Sequence, residues 1–251
     1  MEEQKESSKM RTLQGSCILL HGPPKIGKTQ LASKFPGPVL FIATEPGHKY
    51  LPSDQRKIML KIDPENGWKK FKDQAVNYVH KYEPKTLVID TIAGLYSACM
   101  AGVCKENRWR HPEDGAHGKG WAEVKRALYT ELTKLAFACT DNNITSIWIA
   151  HTKEEEVVTP TQKQTKLTVA LPGMARSVIM PVPDHVWFLG YAENSEVAAL
   201  TNFQKNRALW IRGTEVVEAG CRDPKCIVSR IKPLHEKDPY KQIIEKINQT
   251  K

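Results

Sequence analysis

The chain has 251 residues, 40% of them hydrophobic, and a formal net charge of +9. That is enough apolar material for one substantial core, and six cysteines in a chain of this length exclude a small disulfide-stapled scaffold. The polar run Met1–Lys9 excludes a signal peptide, and no stretch reaches the ~18 apolar residues of a membrane span. A cytoplasmic protein with no membrane partner is therefore expected. Its basic balance favours polyanionic partners, nucleic acid first.

In chain order, residues 1–12 read as a flexible arm, 13–232 as one core and 233–251 as a terminal helix and tail. The apolar run at 16–20 predicts a buried strand, and 28–35 predicts a helix stopped by Pro36-Gly37-Pro38. Between them lies Gly22-Pro23-Pro24-Lys25-Ile26-Gly27-Lys28-Thr29, which fills the pattern G-x-x-x-x-G-K-[ST], followed by Gln30. In a strand–loop–helix setting this pattern cradles a polyphosphate. The glycines let the backbone approach it, Lys28 reaches the β- and γ-phosphates, and the Thr29 hydroxyl ligates Mg²⁺. ATP and Mg²⁺ are the expected cofactors.

Val39–Ala43 is a continuous apolar run, typical of a strand covered on both faces. Residues 57–62 predict another strand. Asn66 can cap a helix to about Tyr82, with Trp68, Phe71, Ala75, Tyr78 and Val79 at helical spacing. Thr86–Asp90 predicts a further buried strand and 92–104 a helix. Residues 105–119 lack a period and read as a loop. Trp121, Val124, Leu128, Leu132, Leu135 and Cys139 mark one face of a long helix. Residues 144–150 predict the next core strand, and 153–170 a loop or an exposed hairpin. A short helix at 174–180 leads to a strand at 185–191. Short strands near 197–201 and 207–211 suggest an antiparallel extension, and 239–248 reads as a helix.

This alternation predicts an α/β fold with a mostly parallel sheet flanked by helices, its ligands at the C-terminal ends of the strands. Chemically loaded residues stand at those ends. Asp90 can hold Mg²⁺ through its water ligands; the competing reading is a helix cap, and the phosphate loop favours the metal. Glu45 can polarise an attacking water, or be an exposed loop acid before Pro46-Gly47. His151 can contact the γ-phosphate, or be a structural histidine. Cys99 with Cys104 and Cys221 with Cys226 share one offset, and His111 and His117 lie near the first pair. Four soft ligands can build a zinc site, but the first pair falls in or beside a helix, so free thiols are expected.

Glu45, Asp90 and His151, each after a strand, resemble the RecA-like P-loop ATPase core. Phe-Ile-Ala-Thr-Glu at 41–45 is similar to that family's strand with the catalytic glutamate. Val-Ile-Asp-Thr-Ile-Ala-Gly-Leu at 88–95 is similar to its metal-binding strand and helix. Ile-Ala-His-Thr-Lys at 149–153 stands where the family has a γ-phosphate sensor, usually glutamine. Leu171–Arg176 and Asp184-His185-Val186 resemble the helix and strand after the second DNA-binding loop. With Gly-Lys-Gly-Trp at 118–121, the chain most resembles the compact phage Sak-type single-strand annealing ATPases, over roughly residues 15–230.

The resemblance implies ATP hydrolysis catalysed by Glu45, Lys28 and His151, with Thr29 and Asp90 at the metal. It implies single-stranded DNA bound by Lys105, Arg108, Trp109, Arg110 and Lys119 in one loop and by Lys163 and Lys166 in another. Cations track phosphates there, and Trp109 would stack on a base. It further implies a homo-oligomer, ring or filament, whose neighbour supplies a cation from Lys205, Arg207 or Arg212. Recombination by annealing or strand exchange follows, with a single-strand binding protein as a further partner and the host cytoplasm as the place for a phage-encoded chain. A small P-loop kinase with residues 105–119 as its lid, and a non-catalytic nucleotide switch, are the alternatives.

Overall fold

A computed structural model of the chain describes residues 12–51, 57–158, 163–192, 207–224, 226–234 and 237–249. The strand expected near 197–201 and Lys205 lie outside the described residues. The first half alternates strand and helix: β1 (Cys17–Gly22), α1 (Lys28–Ser33), β2 (Val39–Ala43), β3 (Lys57–Lys61), α2 (Gly67–Tyr82), β4 (Thr86–Asp90), α3 (Ile92–Asn107) and α4 (Lys119–Asp141). There follow β5 (Thr145–Val158), β6 (Lys163–Val169), α5 (Gly173–Ile179), β7 (His185–Tyr191), β8 (Arg207–Trp210), β9 (Gly220–Cys221), β10 (Arg230–Ile231) and a final helix α6 (Pro239–Asn248).

The sheet runs in the order β10-β8-β7-β1-β5-β4-β2-β3. The strands from β7 to β3 are mutually parallel. β8, β9 and β10 pair antiparallel at the β7 end. The phosphate-loop strand β1 lies at the centre, and β4, the strand of Asp90, is one place removed from it across β5. The intervening strand β5 carries His151, and Asp90 still reaches the phosphate loop at Thr29.

Central strands bury both faces, which is why β1, β2 and β4 read as unbroken apolar runs. Alternate residues feed two cores. Leu19, Leu40, Ile42, Leu87, Ile89 and Trp148 meet α2, α3, α4 and α5. Ile18, Leu20, Phe41, Val88, Ile147 and Trp187 meet α1 and α6 on the other side. Each fully buried aliphatic or aromatic side chain contributes about 2 kcal/mol relative to exposure. α6 closes the second core with buried Ile243 and Ile247, and Tyr240 packs edge-on against Phe35. The segment after residue 232 thus supplies part of this layer.

One stretch differs from its sequence reading, and another decides between two alternatives. Residues 105–119 are not an open loop: α3 runs on to Asn107, and two short 3-10 turns, Pro112–Asp114 and Ala116–Gly118, join it to α4. The Asp114 carboxylate accepts from the amides of Arg110 (2.7 Å) and His111 (3.2 Å) and so closes the first turn. Residues 153–169 form the hairpin alternative: β5 runs on beyond the sheet and pairs antiparallel with β6 from Thr152↔Val169 to Val158↔Lys163. Asn66 precedes α2, but its side chain makes no capping bond; Asp63 accepts from the amides of Glu65 and Asn66 instead.

Candidate nucleotide site

Parallel register brings the strand ends together. Gly22 lies opposite His151, Asp90 opposite Ile149, and Ala43 opposite Asp90. A cavity of about 590 Å³ opens over these ends, lined on one side by Pro24, Lys25, Gly27, Lys28, Thr29 and Gln30. Glu45, Gly47, Tyr50, Leu51, Asp90, Thr91 and His151 also line it. A second cavity, of about 390 Å³, lies at the opposite edge among the turns before β4 and β5 and holds none of these residues.

The phosphate loop is shaped by close approach. Gly22 passes the Leu189 carbonyl so tightly that a Cβ would collide with it. Gly27 has φ 98°, a left-handed conformation that favours glycine, and its missing Cβ leaves room for the Arg207 guanidinium. Ile26 points into the core and is fully buried, so only its backbone can meet a ligand. Lys28 Nζ donates to the carbonyls of Gly22 and Pro23, both at 2.8 Å. Burial pushes the Lys28 ammonium down to about 8, opposed by the charges of Asp90 and Glu45.

The acids are held separately. Asp90 accepts from the Thr29 hydroxyl at 2.8 Å, and burial raises its carboxyl above the usual range while that bond opposes the rise. Asp90 is not the helix cap: Thr91 caps α3, accepting from the Gly94 amide at 3.2 Å. The Thr91 hydroxyl in turn donates to Glu45 at 2.8 Å. Thr44 locks the two strand ends together, its amide donating to the Asp90 carbonyl and its hydroxyl accepting from the Thr91 amide, each at 2.8 Å. Glu45 is therefore aimed by the ends of β2 and β4 rather than waving as a loop acid. His151 is half-buried, and its Nδ1 is buried without a hydrogen-bond partner.

The donor set fits Mg²⁺. Adjacent ligands on an octahedron with bonds of ~2.05 Å stand about 2.9 Å apart. The Thr29 hydroxyl and the Asp90 carboxylate are hard oxygen donors side by side, hydrogen-bonded at 2.8 Å, so the hydroxyl can take one such position and the carboxylate hold a water ligand next to it.

Sequence reasoning missed Tyr50, Thr44 and Thr91. Tyr50 is 91% exposed and lines the same cavity, although a short turn after Pro46-Gly47 gives no periodic signal for it. The threonines had a signal: each directly neighbours one of the strand-end acids.

The cations expected from a neighbouring subunit require correction. Arg207 is 3% exposed and donates to the Ile26 carbonyl at 3.3 Å, beneath the phosphate loop of its own chain. Antiparallel pairing with β7 carries it there, opposite Tyr191. Arg212 donates to the carbonyls of Cys226 (2.6 Å) and Asp223 (3.3 Å), bracing a turn. Arg207 is thus committed to its own chain, while Arg212 is half-buried and bonded to its own turn.

Among the expected DNA contacts, Arg108, Arg110 and Lys119 are exposed around the turns after α3. Lys105, also exposed, donates to Asn66 at 2.8 Å. Trp109 is half-buried and packs against the first core, which leaves only part of its ring open to stack on a base. On the hairpin, Lys163 pairs with Glu156 at 3.7 Å, and Lys166 lies opposite Glu155. The cysteines are free thiols, and no cluster of three or more metal-binding side chains occurs among the described residues. No helix among them is long and apolar enough to cross a membrane.

No curated protein matches the chain. Among solved structures it is similar to a KaiC-like protein from the hyperthermophilic archaeon Pyrococcus horikoshii OT3, at 17% identity over 80% of each chain and with a TM-score of 0.43. The family described as AAA domain matches residues 14–222, the span from the turn before β1 through the phosphate loop and strand-end acids to β9. The chain belongs to this AAA domain family of P-loop ATPases.

Proposed function

We propose that the protein hydrolyses ATP with Mg²⁺ and couples this to single-stranded DNA, in annealing or strand exchange. The observation that carries the hydrolytic part is Glu45. It is held by Thr91 on the wall of the cavity that faces Lys28, Thr29 and Asp90. A carboxylate so placed can take a proton from water attacking the terminal phosphate. Lys28 leaves its loop carbonyls to neutralise charge on the transferring group. His151 lines the same cavity and can contact the terminal phosphate. When bound, Mg²⁺ offsets phosphate charge, with Thr29 and Asp90 as its protein-side oxygens. Tyr50 gives the nucleobase a ring to lie on.

Support for DNA comes from the net charge of +9 and from exposed Arg108, Arg110 and Lys119 in one short stretch beside α4. Lys105 adds to that patch, while Lys163 and Lys166 are partly neutralised by Glu154, Glu155 and Glu156. The turns that Asp114 ties within residues 105–119 favour a fixed surface there over the mobile lid of the kinase alternative. The deciding experiment measures ATP hydrolysis with and without a mixed-sequence oligonucleotide across a salt series. Hydrolysis should rise with single-stranded DNA and the stimulation should fade with salt, because each neutralised phosphate releases counterions. Arg108→Ala with Arg110→Ala should flatten the salt dependence. Indifference to DNA at low salt would sink the recombination reading and leave the ATPase.

A further inference from the structure

His21 is the last residue of β1 before the phosphate-loop glycine, and it is fully buried. Its ring lies against Phe188, with centroids 5.2 Å apart. Nε2 is 2.6 Å from the Glu218 carbonyl oxygen, and Nδ1 is 2.9 Å from the Thr152 hydroxyl. A carbonyl can only accept, so Nε2 carries the proton and donates. Burial lowers the imidazole to about 4, so the ring is neutral near pH 7, and Nδ1 accepts from Thr152. Both ring nitrogens are thus committed, each with a fixed role.

The partners are not scattered. Thr152 directly follows His151, which faces the nucleotide cavity, and it is where β5 leaves the core sheet and begins to pair with β6. Glu218 closes the other side of the hairpin base. Its carboxylate accepts from the Val169 amide at 2.9 Å and pairs with Arg176 of α5, whose guanidinium also donates to the Val169 carbonyl at 3.2 Å. The Glu218 amide donates to the Leu167 carbonyl at 2.9 Å. His21 therefore stands between the phosphate loop and every strand at the root of the hairpin.

A bound polyphosphate would give the adjoining loop a second arrangement. In this structure Lys28 satisfies the carbonyls of Gly22 and Pro23. A polyphosphate that takes the Lys28 ammonium leaves those carbonyls to find other donors, one residue from His21. A shift of the β1 end then reaches Thr152 and Glu218 through hydrogen bonds with no slack. The geometry points to His21 as a positioning residue that ties the β5–β6 hairpin to the state of the phosphate loop, so that nucleotide binding changes how firmly the hairpin is held. This rests on nucleotide occupying the P-loop cavity, and adds a route distinct from any direct contact of His151.

The test is amide hydrogen exchange of residues 152–158 and 163–169, with and without a non-hydrolysable ATP analogue and Mg²⁺, alongside a fluorescent-nucleotide titration. In the wild-type protein, nucleotide should change hairpin exchange by about fivefold or more, the lower end of ordinary coupling between sites. Thr152→Val removes one hydroxyl outside the cavity. It should bind nucleotide within about twofold of wild type and yet lose most of that change, while Thr152→Ser should restore it. His21→Phe, which keeps the ring packing on Phe188, should uncouple the hairpin in the same way. A Thr152→Val protein with the full wild-type response would overturn the proposal, as would a wild-type hairpin indifferent to bound nucleotide. A wild-type protein that binds no nucleotide would instead overturn the reading of the cavity itself, and the coupling with it.

Discussion

Lys28 carries the highest stakes of any side chain in the cavity. Its ammonium is held down to about 8 by burial, and bound phosphates would restore the charged form. The bound state therefore takes up a proton above that value. Nucleotide affinity should be steady below pH 8 and weaken above it by up to about tenfold per pH unit. A titration at pH 7, 8 and 9 checks this, and a flat profile would show that the lysine does not meet the phosphates. Lys28→Ala should abolish turnover, because Lys25 is the one other lysine or arginine among the described residues that line the cavity. Glu45 separates binding from chemistry. Glu45→Gln should bind nucleotide normally and hydrolyse it at least ~10²-fold more slowly in single-turnover assays. Normal hydrolysis in that variant would move the water-activating role elsewhere.

At the scale of elements, the hairpin root and the turns after α3 decide how the site meets the rest of the molecule. His21 also gives the root a pH signature. Its folded value, about 4, is below the ordinary 6.5, so the unfolded chain binds the extra proton first as pH falls. The neutral, fully bonded ring costs nothing above about pH 6.5, and stability is lost progressively between there and pH 4. The loss is about 3 kcal/mol when complete. Burial lowers His185 too, in the same direction, so the total acid slope is shared. Urea melts at pH 7, 5.5 and 4.5 should show a shallower acid slope for His21→Phe than for wild type; parallel slopes would mean that His21 is not buried neutral. Trp109 belongs to this scale as well. Since it packs on the first core, Trp109→Ala should lower the melting temperature, whereas a purely base-stacking residue would leave it unchanged.

For the whole molecule, the question is whether one chain makes a complete site. The correction at Arg207 and Arg212 bears on it directly, because both guanidiniums serve their own chain. We infer by resemblance that a neighbour still completes the site, with Lys205 as the remaining named cation. Hydrolysis per subunit should then rise with protein concentration and level off once light scattering reports the oligomer. A rate unaffected by dilution, in a protein shown to be monomeric, would make the site self-sufficient.

The sequence by itself determined the phosphate loop, the central strands, the helix faces and the acids at the strand ends. Those are local properties. A glycine-rich turn, an apolar run covered on both faces and a helical period are each written in consecutive residues, and β2, β4 and α6 have the limits that the pattern predicts. Tertiary structure decided everything that depends on which strands become neighbours. Strand order put β5 between β1 and β4, so His151 stands between Lys28 and Asp90. Pairing of β8 with β7 turned Arg207 from an exposed cation into the floor of the phosphate loop. A tryptophan in a charged stretch looks available until the core beneath it is known, and Trp109 is held there. Thr91 and Glu45 are 46 residues apart, and no period in the chain announces their hydrogen bond. Contacts at such separations are chosen by the burial of the whole sheet, and the chemistry of this site is assembled from them.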